Sequence, residues 1–142
     1  WGIVGKGAWI ADVEGRKLLN KQSITTRTAN PEKLTIVASK SHRSPELEAY
    51  LSHFSDAENV SIGSSLKLCL LATGEADLYP RLGPTCEWDT AAAHAVLLAA
   101  GDTVENPDGT PLTYGKDLIT FLNPWFLCRA DQNFAAPPLK AI

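Results

Sequence analysis

Apolar and polar positions alternate along residues 1–19 (WGIVGKGAWIADVEGRKLL), and glycines at 2, 5, 7 and 15 cut the alternation. A period of two punctuated by glycine predicts short antiparallel strands joined by tight turns, with a hairpin at Glu14-Gly15. Residues 20–33 lose the period. They are rich in Thr, Asn and Lys and contain Pro31, so they read as a linker. From Leu34 the pattern becomes apolar runs of about five residues separated by helical stretches, the signature of parallel strands with crossover helices. Residues 34–39 (LTIVAS) form the first buried strand. Ser44 caps a helix running to about Phe54, with Pro45 at its first position and Glu46 and Glu48 in the first turn. A second strand covers 59–62, a second helix runs from Ser64 to Thr73 and ends at Gly74, and a third strand covers 75–79 and stops at Pro80. Asp89 opens a third helix (DTAAAHAVLLAA) that Gly101 ends, and the remainder reads as short strands and turns. The expected fold is α/β: a mostly parallel sheet flanked by helices over 34–142, preceded within 1–33 by short antiparallel strands and the linker.

Composition narrows the function. With 142 residues, 44% of them apolar, the chain can bury one core. A net charge of -3 argues against nucleic-acid binding by phosphate neutralisation, which needs a basic surplus. Small anionic ligands remain open, since a local cluster serves them. No apolar run approaches the roughly 18 to 20 residues of a membrane span and no signal segment opens the chain, so a cytoplasmic protein is expected. Cys69, Cys86 and Cys128 have neither disulfide nor zinc spacing and read as buried free thiols. Trp1 stands where an initiator Met would, in a chain without any Met, and this suggests a piece of something longer.

The candidate chemistry collects at strand ends. Ser41-His42 follows the first parallel strand, Gly63-Ser64 the second and Arg81 the third, and ligands of open parallel sheets bind outside the carboxyl ends of the strands. Gly63-Ser64-Ser65-Leu66-Lys67 suits an anion: glycine permits close approach, serine caps, and Lys67 shares a face with Ser64 at i, i+3. A strand-to-helix turn often carries Gly-Ser for capping alone. His42 and Arg81 at the same cleft give the anion reading its weight. Asp89 reads either as a plain N-cap or as a carboxylate ligand for a hard cation such as magnesium. His94, five residues on, points off Asp89's face and is structural, and His53 is a surface residue. A triad of Ser64 or Ser65, His42 and Asp89 makes serine hydrolase the rival enzyme class, although no G-x-S-x-G elbow occurs. A nucleotide-binding module without catalysis is the non-enzymatic alternative. Asp108-Gly109-Thr110 resembles a phosphatase metal motif, but Asn106-Pro107-Asp108-Gly109 is turn chemistry.

Residues 62–101 (IGSSLKLCLLATGEADLYPRLGPTCEWDTAAAHAVLLAAG) closely resemble the CysQ-type 3'(2'),5'-bisphosphate nucleotidases of the inositol monophosphatase superfamily. Trp88-Asp89-Thr90-Ala91-Ala92-Ala93 is similar to that superfamily's second signature, and Gly63-Ser64 to Lys67 with residues 76–81 (ADLYPR) to the nucleotidase branch. The likeness extends through Ser41-His42 and Phe121-Leu122-Asn123-Pro124; Gly101-Asp102 departs from the usual Gly-Gly, which alters only a turn. The resemblance implies the carboxyl-terminal half of a two-part fold whose other half carries a Glu and the D-P-x-D-G-T signature. It implies a magnesium-dependent phosphatase that removes the 3'-phosphate of adenosine 3',5'-bisphosphate, with the missing half as partner. By the same likeness Asp89 is the catalytic carboxylate and metal ligand of this half, and His42, Gly63, Ser64, Lys67 and Arg81 contact the nucleotide. A second phosphate on the substrate would explain two cations in one cleft, which favours the bisphosphate branch over an inositol monophosphatase-like sugar phosphatase.

Overall fold

A computed structural model describes residues 1–39 and 44–139. The amino-terminal alternation becomes a three-stranded antiparallel sheet, β1 (Gly2–Ile3), β2 (Gly7–Glu14) and β3 (Lys17–Ile24), in the order β1-β2-β3 with the turn at Gly15. The expected linker therefore starts too early. Residues 20–24 have few apolar side chains to announce a strand, yet pairing with β2 as far as Ala8↔Ile24 satisfies their backbone, with a register shift between Ile10 and Asp12.

The second sheet holds β4 (Thr35–Ala38), β5 (Glu58–Ser61), β6 (Leu78–Arg81), β7 (Val104–Glu105) and β8 (Phe126–Arg129) in the order β5-β4-β6-β8-β7. β4, β5 and β6 are mutually parallel; β8 is antiparallel to β6 and β7 antiparallel to β8, so β8 alone runs against the rest. β4 is buried throughout, as a strand covered on both faces must be, whereas the edge strand β5 shows polar Glu58, Asn59 and Ser61 to solvent. Among the described residues three helices cover the sheet: α1 (Pro45–Leu51), α2 (Leu66–Ala72) and α3 (Glu87–Ala100). On one face Leu68, Leu71, Ala93 and Leu97 of α2 and α3 pack on Val37, Tyr79, Phe126 and Cys128. On the other, Leu47 and Tyr50 of α1 join Leu139 of the carboxyl-terminal strap over Ile36, Leu78 and Leu127. The small sheet lies on α3, where a Cβ added to Gly2 would stand 2.7 Å from Ala99 Cβ.

Several boundaries differ from expectation for identifiable reasons. α1 starts as predicted, with Ser44 Oγ accepting the Leu47 N–H at 3.3 Å, but ends at Leu51 rather than near Phe54. Pro80 does not stop the third strand. β6 begins later, at Leu78, and runs through Pro80, which sits opposite Leu127 of β8 beyond the recorded pairing of β4 with Leu78, where its missing N–H costs no ladder bond. α2 begins at Leu66, because Ser64 adopts a left-handed backbone (φ 56°), and Ser65 stands at the N-cap without a side-chain cap bond. Asp89 is not the N-cap of α3. Cys86 is, and Asp89 occupies the fourth position of a capping box, its Oδ2 accepting the Cys86 N–H at 2.8 Å.

A staple fixes the opposite end of the sheet. Asp77, 1% exposed, accepts Arg27 Nε at 2.8 Å, Arg27 Nη2 at 2.6 Å and the Thr35 N–H at 2.7 Å. This bidentate pair raises the Arg27 pKa and ties the segment after β3 to β4 and β6.

Candidate functional site

The carboxyl ends of β4, β5 and β6 open into one cleft of about 400 Å³, lined by Ser39, Gly63, Ser64, Lys67, Arg81 and Asp89 together with Tyr79, Thr85 and Thr90. Five of the six residues singled out in the sequence thus share a cavity, although up to 26 positions separate them. His42 lies outside the described residues.

The two cations are held differently. Lys67 is 5% exposed; its Nζ donates to Ser64 O at 3.3 Å and stands 5.5 Å from the centre of the Tyr79 ring. Burial first, and then the charge of Arg81, lower its pKa. The expected i, i+3 helical pairing of Ser64 with Lys67 is replaced by this bond to the Ser64 carbonyl, since Ser64 precedes the helix. Arg81 donates Nη2 to Pro84 O at 2.9 Å, while its Nε is buried without an acceptor among the described residues. A buried donor left bare is costly unless a ligand or water meets it. Burial also pushes the Tyr79 hydroxyl up to about 12, so it stays protonated beside these cations. Gly63 lines the cleft, and a Cβ added there would meet no atom within 4 Å, so no neighbouring group demands a glycine at this position.

Asp89 is exposed on the first turn of α3. Oδ2 is engaged by Cys86, and Oδ1 has no donor among the described residues. A carboxylate oxygen in this state suits a hard cation. It cannot hold one alone: among the described residues no group of three or more His, Cys, Asp or Glu side chains forms a metal cluster. The donor set fits a magnesium ion only as one ligand of several.

The remaining readings resolve by position. His94 is buried, with Nδ1 2.8 Å from Tyr114 Oη, and burial lowers its pKa. His53 is exposed. Asp108-Gly109-Thr110 is a turn away from the cleft, Asp108 Oδ1 accepting the Thr110 N–H at 3.0 Å. Of the three free cysteines only Cys128 is fully buried. No helix among the described residues is long and apolar enough to cross a membrane. Sequence reasoning missed Ser39, Thr85 and Thr90 as cleft walls. The signal lay in position: Ser39 ends a strand and the two threonines flank the capping box.

The profile of the inositol monophosphatase family matches residues 1–133. The 3'(2'),5'-bisphosphate nucleotidase CysQ of Shigella flexneri is 48% identical over 119 residues, 84% of this chain and 45% of that protein. Its counterpart in Escherichia coli strain K12 is 49% identical over 106 residues, 75% of this chain and 42% of that one. The crystal structure of CysQ from Bacteroides thetaiotaomicron superposes with a TM-score of 0.71 at 37% identity, over 88% of this chain and 51% of that one. The chain spans less than half the length of these curated relatives, matching their carboxyl-terminal part.

Proposed function

Because the chain belongs to the inositol monophosphatase family, we propose that its cleft is the nucleotide-binding half of a phosphomonoesterase that removes the 3'-phosphate of adenosine 3',5'-bisphosphate. One observation carries the reading: Lys67, Arg81 and Asp89 line a single cavity. A monophosphate whose one phosphate is neutralised by metal leaves two further cations without a task, whereas a bisphosphate gives them a second phosphate. Arg81, with an unmatched buried Nε, and Lys67 bind and orient that group, and the protonated Tyr79 beneath them keeps the cleft floor uncharged. The Gly63-Ser64 turn leaves room for the nucleotide, and His42 by resemblance adds a further contact. Asp89 offers its free oxygen to magnesium, whose chemistry when bound is to activate water and neutralise the departing oxygen.

The test uses the chain completed to the length of its relatives. Magnesium-dependent release of phosphate from adenosine 3',5'-bisphosphate, abolished by chelator and faster than from inositol monophosphate, is the expected result. Turnover insensitive to chelator and lost in Ser64→Ala would instead support the serine hydrolase, and nucleotide binding without turnover would support the non-catalytic module.

A further inference from the structure

Behind the cleft wall, one carboxamide joins the turn that carries Asp89 to the loop before β8. Asn123 is buried, and its Nδ2 points at three oxygens: Thr85 Oγ1 at 3.2 Å, Cys86 O at 3.0 Å and Thr90 Oγ1 at 3.1 Å. Its backbone N–H donates to Thr85 O at 2.9 Å, and the Glu87 N–H donates back to Phe121 O at 2.8 Å. Lys116 Nζ braces the same corner, 3.4 Å from Asn123 Oδ1 and 2.8 Å from Glu87 Oε1, while the Gly115 N–H donates to Glu87 Oε2 at 2.7 Å. Thr85 and Thr90 form cleft wall on either side of Asp89 in the chain, and Cys86 is the residue whose N–H holds Asp89 Oδ2. Asn123 itself is not on the wall. Its amide group serves the residue before the capping box, the cap itself and the residue after Asp89.

No other neutral side chain of this size offers two N–H donors and an acceptor together, and removing the donors takes a bond from each of these oxygens at once, although Cys86 O keeps the Asp89 N–H at 2.9 Å and Thr90 Oγ1 the Tyr114 hydroxyl at 3.4 Å. Groups that hold a ligating carboxylate from behind change metal affinity or activity about 10- to 100-fold when removed. We infer that Asn123 is a positioning residue: it fixes the Thr85–Thr90 turn and so sets where the free oxygen of Asp89 stands. The inference rests on the reading of Asp89 as a cation-binding carboxylate.

The experiment again uses the chain completed to the length of its relatives, without substrate, and compares Asn123→Asp and Asn123→Ala with Arg27→Ala, which disturbs the opposite end of the sheet. Mn²⁺ binding is titrated by electron paramagnetic resonance, and hydrogen exchange is followed on a peptide covering residues 85–91 in the metal-free protein. Both Asn123 variants should weaken Mn²⁺ binding about tenfold or more and speed exchange in that peptide. Arg27→Ala should lower the melting temperature and leave both readouts unchanged. Asn123 variants that melt lower yet bind Mn²⁺ and exchange like the wild type would overturn the inference. Where those variants do not fold, Lys116→Met loosens the brace from outside; a smaller shift in the same two readouts supports the role, and none removes it. Asp89→Asn separates the layers. Mn²⁺ binding indifferent to Asp89→Asn sinks the functional reading, while the exchange data still decide whether Asn123 holds the turn.

Discussion

The two oxygens of Asp89 are differently committed, one to the Cys86 N–H and one to the cleft. An amide oxygen can keep the first bond while the NH₂ group is useless to a cation. Asp89→Asn should therefore abolish nearly all turnover of the completed protein while lowering helix stability only by the lost charge at the N-terminus, about 0.3–1 kcal/mol. Steady-state kinetics beside a thermal melt check both halves. Lys67 calls for a gentler substitution than alanine, because its stem is inside the wall against Tyr79. Lys67→Met keeps the stem, and with Arg81→Ala it should cost about 10- to 100-fold in kcat/KM on adenosine 3',5'-bisphosphate. A monophosphate should lose much less. Equal losses on both substrates would assign these cations to the reacting phosphate. Asp102 supplies a pH prediction away from the cleft. It is buried, accepts the Thr103 N–H at 2.6 Å, and burial lifts its pKa to about 6. A carboxyl raised on folding binds more protons in the native than in the unfolded chain between pH 3.8 and about 6, so stability falls as pH rises through that window. Asp102→Asn, which keeps the acceptor, should flatten that fall and melt higher at pH 7 than the parent, with little difference at pH 3.5. Such roles were half legible. Residue type announced Asp89, Lys67 and Arg81 as candidates, but the burial of Lys67, which depends on distant elements, and the geometry that pairs each with a group three residues away are not written in residue type.

Elements were most legible where pattern and cap agreed, as for α1 with Ser44, Pro45 and two early glutamates. They were least legible where partners decide: β3 extends through polar residues because β2 is there to pair with it, and Pro80 is tolerated because β8 lies on the side that needs no N–H from it. Contacts between elements yield a stability prediction. A side chain at Gly2 would collide with Ala99 Cβ at 2.7 Å and Val96 Cα at 3.0 Å, so Gly2→Val should push β1 off α3 at a cost of about 1–3 kcal/mol by chemical denaturation.

At the scale of the molecule, the small sheet leaves Ile10, Val13, Leu18 and Leu19 exposed, and β3 has no strand on its outer side among the described residues. Open apolar edges recruit other chains. The isolated chain should accordingly self-associate by light scattering, and Leu18→Lys should reduce that association. It should also release no phosphate from adenosine 3',5'-bisphosphate with magnesium present, since Asp89 is the one carboxylate lining the cleft among the described residues. Adding the relatives' amino-terminal part in trans should restore turnover. Robust magnesium-dependent hydrolysis by the chain alone would contradict that count of ligands.

The sequence by itself determined the class of fold, the carboxyl ends of the parallel strands as the place where the candidate residues meet, and which residue types could bind an anion or a cation, because periodicity, caps and side-chain charge are local properties. The tertiary structure decided the rest. It reversed β8, moved Asp89 from the cap to the fourth position of the capping box, buried Lys67 and placed Asn123 behind the Asp89 turn. The reversal of β8 and the place of Asn123 follow from partners contributed by residues 30 or more positions away, which no local pattern records, whereas the capping box turns on backbone geometry three residues from Asp89 that residue type alone does not fix.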